Sequence, residues 1–128
     1  MSMHIESGSY RLQFADGGVR VLREGQLLFY NRRPMYAFIK TALSITEFYD
    51  APYQQVKQID NAIVGTGVLR SPTGSELLFE DRYEPQQPGF KVIRKVAVQK
   101  NVDDYGFATK ISLVMAASEE VRDYDYFA

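Results

Sequence analysis

The sequence predicts an all-β fold, an antiparallel β-sandwich with little helix, and three observations carry that reading. Apolar residues recur at every second position more often than at every third or fourth. Turn-forming residues punctuate the chain at short, even intervals. Aromatics make up 13% of the residues, nine tyrosines and eight phenylalanines without a tryptophan, and such rings favour half-buried pleated surfaces. Together they give roughly nine or ten strands, which fits a sandwich or barrel better than an α/β arrangement.

The elements follow in order. Tyr10, Leu12 and Phe14 face one way, with Arg11 and Gln13 the other. "ADGGV" then supplies a hairpin turn, because glycine reaches positive φ at little cost. Val19 and Val21 begin the return strand, and "REGQ" turns again before a strand over 27–30. The next stretch, "NRRPMYAFIKTALSITEFYDAPY", is ambiguous. Pro34 discourages a helix running through from Arg33, yet a helix over 37–48 would put Phe38, Ala42, Ile45 and Tyr49 on one stripe. The β-branched Ile39, Thr41 and Thr46 favour strands. "YDAPY" reads as a loop.

Residues 54–60 are polar with Val56 and Ile59 interleaved, as in an edge strand. Residues 62–70 form a strand containing Gly65 and Gly67, which predicts a bulge or the close approach of another backbone. "SPTGSE" turns into the hairpin "FEDRYEPQQPGFKVIRKV" over 79–96, and "NVDDYG" turns into 107–116, the expected central strand. The tail "EEVRDYDYFA" alternates charge with aromatics. No repeat or linker divides the chain, so residues 1–128 read as one domain.

Composition bounds the function. A chain of 128 residues with 45% hydrophobic and 24% charged residues can bury its own core. Fifteen basic and sixteen acidic residues leave a net charge of −1. The densest basic spots, Arg32-Arg33 and Lys91/Arg94/Lys95, are too short to track a phosphate backbone, so no nucleic-acid partner is expected. The absence of cysteine removes disulfides, thiolate catalysis and Cys-ligated zinc. "MSMHIESGSY" lacks the basic and apolar regions of a signal peptide, which reads as cytoplasmic. No apolar run nears the roughly 20 residues of a spanning helix, so no membrane partner is expected.

The 79–96 hairpin carries the most information. Antiparallel pairing around its turn sets Leu77 against Val98, Phe79 against Val96, Asp81 against Arg94 and Tyr83 against Val92, all on one face. On the other face Glu80 meets Lys95 and Glu84 meets Lys91, as solvated pairs. Asp81 and Arg94 instead fall among Phe79, Tyr83, Val92 and Val96. A half-buried ion pair there fixes register, and losing one partner strands the other. The alternative is a polar patch that grips a ligand or a neighbouring domain.

Little else nominates chemistry. His4, the only histidine, lies in a stretch expected to fray, so neither a Ser-His-Asp triad nor a multi-histidine metal centre is expected. Asp103-Asp104 in "DDYG" lack the spacing of a calcium loop and read as turn residues. Asp123 and Asp125 lie in the tail. "GTG" at Gly65 to Gly67 leads into a strand, not into the helix N-terminus that a phosphate cradle needs. A glycosidase needs two carboxyl groups about 5–5.5 Å or about 6.5–9.5 Å apart, and alternation alone brings no two together. No catalytic residue, cofactor or metal ligand is expected.

The "TGS" turn Thr73-Gly74-Ser75, the strand with Phe79, Asp81 and Tyr83, the strand from Gly89-Phe90 with Arg94, Val96 and Val98, and Gly106-Phe107 with Thr109 form a pattern within the last two-thirds of the chain. That pattern resembles the N-terminal β-supersandwich region of large bacterial glycoside hydrolases. It implies a supersandwich-like accessory domain, a fragment of a longer chain whose catalytic domain it packs against. It carries over no catalytic residue. Asp81, Arg94, Tyr83, Tyr124 and Tyr126 are the structural or ligand-contact candidates, the tyrosines for possible stacking on carbohydrate. The alternative is a free-standing β-sandwich or β-barrel that binds a small ligand or carbohydrate. A small enzyme using its Asp and Glu residues is a third reading.

Overall fold

The computed structural model describes residues 3–41, 46–112 and 114–115. Among them there is no helix; twelve strands form three antiparallel sheets in a sandwich-like arrangement. The first sheet joins β1 (Met3–Ser7), β2 (Tyr10–Ala15), β3 (Gly18–Arg23) and β4 (Gln26–Asn31), with β12 (Val114–Met115) at its far edge. A second contains β7 (Gln55–Ile59), β8 (Ala62–Arg70), β9 (Glu76–Gln86) and β10 (Gly89–Lys100), in that spatial order. The third sets β5 (Met35–Thr41) between β11 (Asp104–Thr109) and β6 (Thr46–Ala51).

The first sheet forms as the alternation predicts. Leu12, Phe14, Val19 and Val21 are buried, and two-residue turns connect the strands. Asp16 and Gly17 have φ of 54° and 77°, Glu24 and Gly25 of 50° and 81°, so each turn has the twist that matches its flanking strands. The meander begins earlier than expected. Met3–Ser7 does not fray: Ile5 and Ser7 are buried, and His4 pairs with Gln13 on the exposed face.

The ambiguous stretch resolves into strands. Met35, Ala37 and Ile39 face the core, while Tyr36 and Phe38 face outward. β6 pairs antiparallel with β5, setting Phe48 against Phe38. Ala42 and Ile45 of the alternative helical stripe lie outside the described residues. The edge position expected for 54–60 also holds, since among the described residues β7 pairs only with β8.

Three further expectations need correction. "YDAPY" is not a loop throughout, since Tyr49, Asp50 and Ala51 close β6 and only Pro52 and Tyr53 lie beyond it. The described part of the stretch 107–116 is not a central strand. β11 is the edge of the three-stranded sheet, and β12 lies at the edge of another, paired with β4. Of β11's large side chains only Phe107 packs on the core, while Tyr105 is 72% exposed, so this strand lacks the two buried faces of a central position. Gly65 and Gly67 mark neither a bulge nor an approaching backbone. β8 keeps an unbroken register with both neighbours, and side chains occupy the space. A Cβ on Gly65 would lie 2.6 Å from the Tyr53 ring, and one on Gly67 2.7 Å from the Met35 methyl.

The β9–β10 register is the expected one as far as Val98, including Asp81↔Arg94, Glu80↔Lys95 and Glu84↔Lys91, and shifts by one residue between Val98 and Lys100, where Lys100 meets Glu76. The two outer pairs do not close as ion pairs. Glu84 takes Arg82 instead, two residues along its own strand at 2.6 Å.

Candidate functional site

Asp81 and Arg94 meet where the three sheets converge. Alternation along β9 points Asp81 inward between Phe79 and Tyr83, and the register places Arg94 opposite. Their side chains are 0% and 6% exposed. Arg94 binds the carboxylate through two bonds, Nε to Oδ1 at 2.7 Å and Nη2 to Oδ2 at 2.6 Å. Nη2 also donates to the Pro34 carbonyl at 2.7 Å, and Nη1 to the Thr109 hydroxyl at 2.9 Å and the Lys110 carbonyl at 2.6 Å. A guanidinium has five N–H donors, and all are engaged. The group also lies 5.0 Å from the Phe79 ring centroid, within cation–π range. Thr109 passes its own proton to the Tyr36 carbonyl at 2.6 Å.

Two tyrosines complete the centre. The Tyr53 hydroxyl donates to Asp81 Oδ2 and sits 2.6 Å from the Tyr83 hydroxyl. With Tyr53's single proton committed to the carboxylate, Tyr83 donates to Tyr53, giving a relay directed at Asp81. Burial is the main cause holding the Tyr53 hydroxyl far above its usual range, reinforced by Tyr83 and by the charge of Asp81. Burial also pushes Tyr83 up to about 12. For Arg94, burial disfavours the charge, but the hydrogen bonds and charge of Asp81 outweigh it and raise its pKa. The centre is therefore an ion pair capped by two neutral phenols. Both carboxylate oxygens are engaged by these partners, and the arrangement ties the second and third sheets together.

A second polar centre surrounds Asp104, which is 3% exposed. Its Oδ2 accepts from Ser75 at 2.5 Å, Thr73 at 2.8 Å and Ser71 at 3.4 Å. Oδ1 has no hydrogen-bond partner among the described residues. The "SPTGS" turn thus wraps a carboxylate, and Ser75 also accepts from the Val102 amide. Asp103, at φ 55°, is the turn residue expected, but Asp104 is not. It opens β11 and points inward.

Two further features could meet another molecule. A cleft of about 240 Å³ opens between the first sheet and the β9–β10 hairpin. Leu12, Val19, Val21, Phe29, Phe90 and Val92 are among its lining, with Tyr10, Ser112, Tyr83, Arg94 and Asn31 as polar members. The Tyr83, Arg94 and Asn31 side chains already have protein partners; that of Asn31 donates to the Ser112 carbonyl and accepts from the Arg33 N–H. On the outer face of the third sheet, Phe38 meets Tyr36 at 5.1 Å and Phe48 at 4.9 Å, with ring planes at 62° and 79°. Lys110 Nζ lies over the Tyr36 ring at 4.7 Å.

Of the residues singled out from sequence, Asp81, Arg94 and Tyr83 come together. Tyr124 and Tyr126 lie outside the described residues. Sequence reasoning missed Tyr53, Thr109 and the Asp104 cluster. A signal for Tyr53 existed: Gly65 pairs with Asp81 across β8–β9, and its missing side chain is the gap through which Tyr53 reaches the carboxylate. Among the described residues, no three His, Cys, Asp or Glu side chains gather as metal ligands would. No protein-family model, curated protein or solved structure matches the chain.

Proposed function

We propose that this chain is a non-catalytic β domain of a longer bacterial glycoside hydrolase, packing against the catalytic domain of the same polypeptide. The observation that carries the reading is the aromatic outer face of the third sheet. Phe48 is 59% exposed beside half-buried Tyr36 and Phe38, and contiguous apolar surface of this kind marks interaction sites. The resemblance over the last two-thirds of the chain supplies the parentage. The rings meet edge to face and so offer no flat platform for successive sugar units. That geometry favours covering by protein over stacking along a glycan, with carbohydrate contact limited to single rings.

The test begins with the gene. The reading expects an open frame running beyond Ala128 into a catalytic domain, and a stop codon there overturns it. In the full-length protein, Phe48→Ser should weaken domain association, seen as separation of the two unfolding transitions in calorimetry. Unchanged transitions would sink the docking face. Isothermal titration of the 1–128 chain with oligosaccharides at millimolar concentration tests direct sugar contact.

The apolar cleft favours a second reading, a free-standing β-sandwich that holds a small ligand. Its volume is near the lower end for ligand sites, about 300 Å³ and upward, and its Asn31, Tyr83 and Arg94 side chains are already engaged, so the ligand would be small, neutral and largely apolar. Titration with a monocyclic aromatic such as toluene should raise the Tm in proportion to occupancy. An unchanged Tm at saturation removes this reading.

A further inference from the structure

β10 is an edge strand among the described residues, paired only with β9. Its first half lies beside 110–112, since Phe90 and Val92 line the cleft with Ile111 and Ser112. Its second half does not. Lys95, Val96, Ala97, Val98, Gln99 and Lys100 are all exposed. Val96 and Val98 are 37% and 47% exposed, although their cross-strand partners Phe79 and Leu77 are 0% and 1% exposed. Among the described residues, the inner face of the sheet therefore continues one strand further than its cover.

Charge selects what could complete it. β9 carries Glu76, Glu80, Asp81 and Glu84 against one cation, Arg82, whereas β10 carries Lys91, Arg94, Lys95 and Lys100 without an acid. None of the three lysines closes an ion pair among the described residues. An acidic strand followed by a basic one calls for an acidic strand next, because opposite charges on neighbouring strands attract and like charges repel. Lysine on an exposed edge is also how sheets resist pairing with themselves. Here it opposes a second copy, which would set this cationic row against its own image.

We propose that the 95–100 edge of β10 binds an extended segment of a partner protein by strand addition. The segment would carry apolar residues at alternate positions, packing beside Val96 and Val98, with carboxylates between them opposite Lys95. Main-chain hydrogen bonds along the edge would supply the affinity, and the alternating side chains the selection. The inference is independent of the glycosidase parentage.

The probe is a short end-blocked peptide alternating glutamate and valine, titrated into the isotope-labelled 1–128 chain and followed by NMR. Saturable shifts confined to the 95–100 amides are expected. Methylating alternate peptide nitrogens should cost at least about tenfold in affinity, since it removes main-chain donors. Lys95→Glu should weaken the glutamate–valine peptide and favour a lysine–valine one. Three results would overturn the proposal: no saturable shift at millimolar peptide, equal binding by the methylated peptide, or a concentration-dependent dimer that protects the same amides.

Discussion

Asp81 and Asp104 are both buried carboxylates, yet the protein handles them in opposite ways. Asp81 has a fully engaged guanidinium against it and a tyrosine donating to it. Asp104 has three hydroxyls on one oxygen, and no hydrogen-bond partner on the other among the described residues. Burying an ion costs several kcal/mol that only good geometry and added hydrogen bonds repay. The first centre meets that cost with opposite charge, the second with neutral dipoles. The first also spans the sheets through Pro34, Thr109 and Lys110, whereas the second braces one turn against the start of β11. The two solutions differ in reach as much as in charge.

The sharpest way to break this comparison is Arg94→Met. It leaves Asp81 buried without its cation, and a loss of about 3–5 kcal/mol is expected in urea unfolding. Removing both partners, as Asp81→Leu with Arg94→Met, should recover much of that loss, because the orphan charge goes too. Glu80→Ala, on the exposed face of the same strand, should stay within about 0.5 kcal/mol. If it matches Arg94→Met, the facing of the strand is wrong.

Alkaline titration separates the centres next. Tyr53 and Tyr83 touch the Asp81 centre, and burial raises both above the ordinary 10.0. A raised folded-state value means their contribution is complete below pH 10 and lost as pH rises through the folded value, about 12 for Tyr83. Each tyrosine should cost about 1.4 kcal/mol per pH unit in that window. Tyr53→Phe should flatten the slope measured by urea unfolding at pH 9, 10 and 11. An unchanged slope would exclude Tyr53 as the source. A smaller effect than that of Arg94→Met should come from Asp104→Ala, about 1–2 kcal/mol, because the freed hydroxyls can bond one another. A loss as large as that of Arg94→Met would mean the second carboxylate carries more of the fold than its neutral surroundings imply.

The sequence made the hairpin centre legible because strand alternation and pairing are local. Once 79–96 is read as a hairpin, Asp81 must face Arg94 and both must face inward. Tyr53 was hidden because it arrives from a loop, and loops have no period. Only the gap at Gly65 hinted at a ring approaching from outside the strand. Asp104 was hidden for the opposite reason. Asp after Asp before Tyr-Gly has the composition of a turn, and its inward orientation depends on hydroxyls some thirty residues earlier in the chain. The misplacement of 107–116 is similar: an apolar run shows that a strand can form, but not which sheet accepts it. The outer pairs Glu80/Lys95 and Glu84/Lys91 had the correct register without ion-pair geometry. Register follows from the backbone, whereas exposed long side chains choose among several partners.

Because its five donors reach β9, the residue before β5, the end of β11 and the residue just beyond it, Arg94 links the opening of the second and third sheets. Peeling the third sheet away would leave a buried guanidinium with unpaired donors, and fraying β10 would strip the Pro34 and Lys110 carbonyls of their partner. Neither sheet can open alone without that penalty. Slow hydrogen exchange should therefore show β5, β9 and the first half of β10 opening as one cooperative unit, with the 95–100 edge exchanging separately and sooner.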